Sequence, residues 1–129
     1  MLNECKRYLD TNIYRSFNIL KTNYAQYFKH FDKGFKISIG VKIDNELNEC
    51  IKMMSYSYRT NDINEKIIYA NKTYDLLYDL EIDFKGLFES YKCISQNQYT
   101  SLCFNCGKIE DQLIKWINSN NKKLNKPIK

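Results

Sequence analysis

"FDKGFKISIGVKID", residues 31–44, decides the fold of this 129-residue chain. From Phe35 to Ile43 apolar side chains alternate with polar or small ones, the period of a half-buried strand. Helical spacing flanks the stretch on both sides. Upstream, Ile13, Phe17, Leu20, Tyr24, Tyr27 and Phe31 step by four, three, four, three and four, the stripe of an amphipathic helix. Downstream, Ile43, Leu47, Cys50 or Ile51, Met54 and Tyr58 repeat the pattern. Nothing nearby supplies partner strands for 35–43. The stretch therefore reads as a turn at "DKG", with a second helix beginning around residues 35–38.

Two further helical segments follow. Asp62 and Glu65 stand at capping-box spacing, ahead of a stripe of Ile63, Ile67, Ala70, Tyr74 and Leu77. That stripe continues through Leu80 or Glu81, Phe84, Leu87, Tyr91 and Ile94. Ser95 with Gln98 is a second candidate box, followed by Tyr99, Leu102, Cys106, Ile109, Leu113 and Trp116. Four amphipathic segments with short connections predict an all-α fold, an antiparallel up-down four-helix bundle in which each stripe is buried against the others. One proline and four glycines suit a few long elements. A single domain is expected over residues 1–121, with 122–129, "KKLNKPIK", as a basic flexible tail. Gly40 and Gly86 fall inside helices, where each costs about 1 kcal/mol relative to alanine. Close approach of another backbone and a tolerated surface position both account for them.

Composition narrows the function classes. No apolar run nears the roughly 18 residues of a membrane span, and the opening "MLNECKRYLD" has no signal-peptide core. A soluble cytoplasmic protein is expected, with no membrane partner. Five cysteines, an odd number without a secretion signal, predict reduced thiols. Cys103 and Cys106 in "CFNC" have the spacing of a redox or metal pair. A zinc site needs about four ligands, and the sole histidine is His30. A thioredoxin-like motif follows a strand, whereas this one lies in a helical pattern. Small core side chains are the better reading of the pair, with a disulfide left open. His30 follows Lys29 at the end of the first helix, where basic groups suit the helix dipole. Asp75, Asp79 and Asp83 recur every four residues with Glu81 close by. Without the Glu-x-x-His pairs of di-iron bundles, they read as a solvated acidic face or one that meets a basic partner. No glycine-rich phosphate loop and no catalytic serine motif is present. No enzyme activity, cofactor or metal is expected.

Net charge is +5. Both ends of the chain are basic, and the third quarter, residues 61–95, carries seven acidic against four basic side chains. Lys29, Lys33, Lys36 and Lys42 around the first turn, with Lys21 on the first helix, are expected to form one patch. With Lys122, Lys123 and Lys126 of the tail they are candidates for phosphate contacts. A solvated lysine face is the competing explanation. Tyr24 and Tyr27 lie on the core stripe, so packing rather than base stacking is expected of them.

The opening stretch also resembles a family signature, approximately F-P-K-x-x-R-x-x-x-G-x-R-I-E. Phe31, Lys33, Gly40 and Ile43 match it. Lys36 and Lys42 replace arginines, Asp44 replaces glutamate and Asp32 replaces proline. Tyr99 and Trp116 resemble a tyrosine and a tryptophan of that family's last helix, which a basic tail also follows. Over roughly residues 12–123 the chain thus resembles the accessory variability determinant (Avd) proteins of diversity-generating retroelements. Related bundles encoded in intervening sequences of large-subunit ribosomal RNA genes are the alternative within the same family. The resemblance implies a homopentameric barrel of four-helix protomers. It would bind the retroelement's reverse transcriptase and template-repeat RNA, or an RNA/DNA hybrid, in support of mutagenic cDNA synthesis, with no catalytic residue of its own. Two departures stand out. The family's third helix commonly carries arginines, where "LLYDLEIDFKGLF" is acidic. Ile114 and Lys115 replace small residues before the tryptophan.

Overall fold

From Lys33 onward the stretch at 31–44 is helical. In the computed structural model, which describes residues 7–125, α1 (Asn12–Phe28) is followed by a single helical turn, Lys33–Phe35. A π turn, Lys36–Gly40, then runs straight into α2 (Val41–Arg59). Phe35 and Ile39 are half-buried and Ile43 is fully buried, a row spaced by four. Ile37 and Val41, which complete the apparent alternation, face outward at 72% and 42% exposure. Alternation here is thus a helical face overlaid on two exposed apolar residues. The turn is shorter than "DKG", because Lys33 and Gly34 are already helical behind Asp32.

The π turn has a local cause. The Val41 N–H reaches back five residues to the Lys36 carbonyl, the wide register of a π bulge. The Gly40 carbonyl accepts from the buried Tyr24 hydroxyl at 2.7 Å. Gly40 itself lies against α1: a Cβ there would sit 2.5 Å from Phe28 Cε2. Its place in the helix is therefore a close approach, though to a side chain of α1 rather than to backbone. At Gly86 a Cβ would meet only Tyr91 Cε2, at 3.8 Å, so that glycine is a tolerated position.

Helices α3 (Ile63–Glu89) and α4 (Gln96–Leu124) complete the bundle. Cross-helix contacts show that neighbours run antiparallel. Lys42, early in α2, bonds Asp83, late in α3. Phe88, late in α3, stacks on Tyr99, early in α4, at 5.2 Å. Ser16 of α1 bonds Gln112, and Asn23 bonds Asn105 farther up the pair. The expected stripes fill the interior, with Cys50 rather than Ile51 taking the buried place on α2. On α3, Thr73 is buried and Tyr74 only half-buried.

Helix ends follow local chemistry. Ser95 and Gln98 make a reciprocal capping box on α4. Asp62 caps α3 through the N–H groups of Asn64 and Glu65, but the Glu65 carboxylate is taken by Thr60, so this box is one-sided. Helix α3 stops at Glu89, short of Tyr91 and Ile94. Lys92 adopts a left-handed φ of 54°, which turns the chain back so that the Cys93 N–H bonds the Leu87 carbonyl and closes the helix end. Helix α4 runs past the boundary expected at residue 121. Buried Asn120 bonds the Trp116 carbonyl, and Lys122 and Lys123 lie in the last turn, where cations suit the dipole. Residues 126–129, and Lys126 with them, lie outside the described residues, as does Cys5. Among the described residues no helix is long and apolar enough to cross a membrane.

Candidate nucleic-acid interface

The antiparallel bundle sets the expected lysine patch and the tail lysines at opposite ends. Lys29, Lys33, Lys36 and Lys42 stand where α1 ends and α2 begins. Lys122 and Lys123 stand at the far end of α4, about 40 Å away for a helix of this length. Nor are the lysines of the first group equivalent. Lys42 bonds Asp83 at 3.0 Å and lies 3.6 Å from Glu46, so its charge is already matched. Lys33 stands exposed and Lys36 half-exposed on the lead-in turns. Lys21, mid-helix, donates to Asn48 Oδ1 at 2.7 Å. It shares a furrow of about 530 Å³ between α1 and α2 with Lys29.

A second furrow, about 750 Å³, lies on the other side of α1, against α4. Arg15, Lys108 and Lys115 line it together with Asn12, Ser16 and Gln112, and no carboxylate is among its lining residues. Helix α1 is acid-free: the chain has no Asp or Glu between Asp10 and Asp32. Asp111, exposed, is set one turn from each α4 lysine, while Glu110 beside it turns to Glu81. Cations with hydrogen-bonding amides and hydroxyls between them are the equipment for phosphate contacts.

None of these three cations was marked by the sequence reading. Two signals were present: the acid-free run around α1, and Lys108 and Lys115 seven residues apart, which puts them on one helical face. Their convergence with Arg15 depends on α4 packing beside α1.

The remaining polar features are structural. Trp116 Nε1 donates to Ser57 Oγ at 2.9 Å, while Ser57 donates to the Lys66 carbonyl. Lys66 Nζ bonds the Tyr58 carbonyl and lies 5.2 Å from the Trp116 ring. Burial, and then Lys123 nearby, lower its pKa. The acidic ladder divides, because Asp83 turns to Lys42 while Asp75 and Asp79 stay exposed. Cys50, Cys93, Cys103 and Cys106 are free thiols, and burial pushes the Cys50 and Cys106 thiols well up. Among the described residues no three His, Cys, Asp or Glu side chains converge as metal ligands.

Two carboxyl groups sit where charge is unwelcome. Burial, and then a hydrogen bond with Glu110, push Glu81 up to about 7. Burial and Asp83 push Glu46 up to about 7 against the opposing Lys42, and no donor reaches buried Glu46 Oε1. Both pKa values lie above the unfolded value, so the folded state holds extra protons between pH 4.5 and 7. Their contribution is full below pH 4.5 and fades as pH rises through 7. Thermal midpoints are therefore expected to fall from pH 5.5 to pH 8. Glu81→Gln, which keeps the hydrogen bond without the charge, is expected to flatten that slope. An unchanged slope in this variant would show that Glu81 ionises normally.

Comparison of the chain with protein-family models, curated proteins and solved structures finds no match.

Proposed function

We propose that the protein is a non-catalytic, cytoplasmic RNA-binding bundle that serves a reverse transcriptase as an accessory subunit. The observation that carries the RNA reading is the furrow between α1 and α4, with Arg15, Lys108 and Lys115 facing it and no carboxylate in its lining. The reverse-transcriptase partner and a homopentameric assembly rest on the resemblance of residues 31–44, Tyr99 and Trp116 to the retroelement accessory proteins. In this reading the α1 face holds template RNA. The outer face of α3, where exposed Tyr78 and Ile82 lie among Asp75 and Asp79, meets a basic surface of the polymerase.

RNA binding by the purified protein across a salt series tests the reading. The Arg15→Glu, Lys108→Glu, Lys115→Glu variant is expected to lose roughly tenfold or more in affinity. The slope of log K against log salt should flatten by about 2, three phosphate contacts at about 0.7 each. Lys33→Glu with Lys36→Glu is expected to change affinity less than about threefold. A larger loss from the second variant would move the interface to the α1–α2 turn. Wild-type protein with no salt-dependent affinity for RNA would end the RNA reading. Mass in solution, measured on the same sample, tests the pentamer.

A further inference from the structure

The two furrows beside α1 are offset along it. The α1/α4 furrow is lined from α1 by residues between Asn12 and Ile19, and the α1/α2 furrow by residues from Tyr14 to Lys29. Their cations therefore form a diagonal, from Lys115, Arg15 and Lys108 on one side to Lys21 and Lys29 on the other. The α1 side of the second furrow is edged by neutral Asn18, Thr22 and Gln26, one turn apart and all exposed.

We propose that a single-stranded RNA crosses α1 obliquely from the α1/α4 furrow, entering the α1/α2 furrow past Asn18 and Thr22 and meeting Lys21 and Lys29 there. This rests on the RNA reading above and specifies its substrate class and path.

Shape favours a single strand over a duplex. Helix α1 packs on α4 and is bordered by α2 across the α1/α2 furrow, and its inner face is buried at Ile13, Phe17, Leu20 and Tyr24. It cannot enter a major groove about 8.5 Å deep, and the A-form groove of duplex RNA is narrower still. A flexible strand can follow a furrow, cross the ridge and drop into the next. Lys21 donates to Asn48 across the furrow, which holds its ammonium where a strand following the furrow passes.

Chemistry agrees with shape. Asn18 and Gln26 offer amides to unpaired base edges, which a single strand exposes. Phe104, 62% exposed, has Lys108 Nζ 5.3 Å from its ring, an aromatic surface for a base beside a cation for its phosphate. From Arg15 to Lys29 the helix rises about 21 Å, a span that takes several nucleotides of a single strand.

Fluorescence anisotropy with labelled RNAs of one mixed sequence tests this: single strands of 4, 8 and 12 nucleotides and a 12-base-pair duplex. Affinity is expected to rise from 4 to 8 nucleotides and then level. The 12-nucleotide strand should bind roughly tenfold more tightly than the duplex. Lys21→Gln with Lys29→Gln is expected to weaken the 8-nucleotide strand about fivefold and leave the 4-nucleotide strand nearly unchanged, with helix content by circular dichroism as wild type. Phe104→Ala, at an exposed site that leaves the core intact, should weaken single-strand binding several-fold. Duplex binding as tight as single-strand binding would overturn the proposal. So would an 8-nucleotide affinity indifferent to Lys21 and Lys29 while the Arg15, Lys108, Lys115 variant still loses RNA, an outcome that leaves the RNA reading standing. No affinity for any of these RNAs would remove both.

Discussion

Gly40→Val is expected to cost about 3 kcal/mol of folding stability, a drop in thermal midpoint on the order of 10 °C. Even the first carbon added at residue 40 lands 2.5 Å from Phe28 Cε2, 2.9 Å from Phe28 Cδ2 and 3.1 Å from the Phe35 carbonyl oxygen. Phe28 cannot retreat freely, because its ring packs against Tyr24 at 5.9 Å and Phe31 at 5.7 Å. Moving the Gly40 backbone instead would pull its carbonyl from the buried Tyr24 hydroxyl. Gly40→Ala is the finer test. Alanine gains about 1 kcal/mol of helix propensity, so the overpacking cost of about 1–3 kcal/mol leaves a smaller net loss. With Phe28→Leu the clash is relieved, and the double-mutant cycle should show a coupling of about 1 kcal/mol or more. Additive single effects would mean that the approach of α2 to α1 is not what requires glycine.

Trp116→Ala is expected to cost about 3 kcal/mol, and Trp116→Phe about 1 kcal/mol. The indole does two separable jobs. Its ring stacks on Tyr58 at 5.7 Å and lies under the Lys66 ammonium, and a phenyl ring keeps most of that area. Its N–H fills an acceptor site on Ser57, which is buried among the ends of α2 and α4 and the first turns of α3. Ser57→Ala removes the same bond from the other side, strands the indole N–H and also removes the hydroxyl's own bond to the Lys66 carbonyl, so it should cost more than Trp116→Phe, about 2 kcal/mol. Urea unfolding of the three variants gives the order. Equal losses for Trp116→Phe and Trp116→Ala would show that ring packing contributes nothing at this end of the bundle.

Four helices were legible because burial writes itself into spacing. Phe17, Leu20, Tyr24, Leu47, Met54, Leu77, Leu80, Leu102 and Ile109, all on the expected stripes, are almost fully buried. Helix ends were read less well, since a cap depends on which neighbour reaches the end first. Glu65 was expected to close a box on Asp62, but Thr60 holds its carboxylate. The last helix outran its apolar stripe because Asn120, polar in sequence, is buried and bonded back to Trp116.

The candidate site was legible in kind and not in place. Lysines along α1 and its turn announced a basic surface, and the missing acids around α1 are visible in the bare sequence. Lys42 drew notice for its charge, which Asp83, 41 residues away, neutralises. Lys108 and Lys115 share a helical face seven residues apart, but nothing local to them marks Arg15 as the third member.

The sequence alone thus determined the local terms: the four amphipathic faces, the caps at Asp62 and Ser95, and a chain basic at its ends. Each of these depends on residues within a turn or two of one another. Only the tertiary structure decided why residue 40 must be glycine, which charges are spent on each other, and that α1 lies between two furrows lined by cations. Those depend on distances between residues far apart in the chain, and packing alone sets such distances.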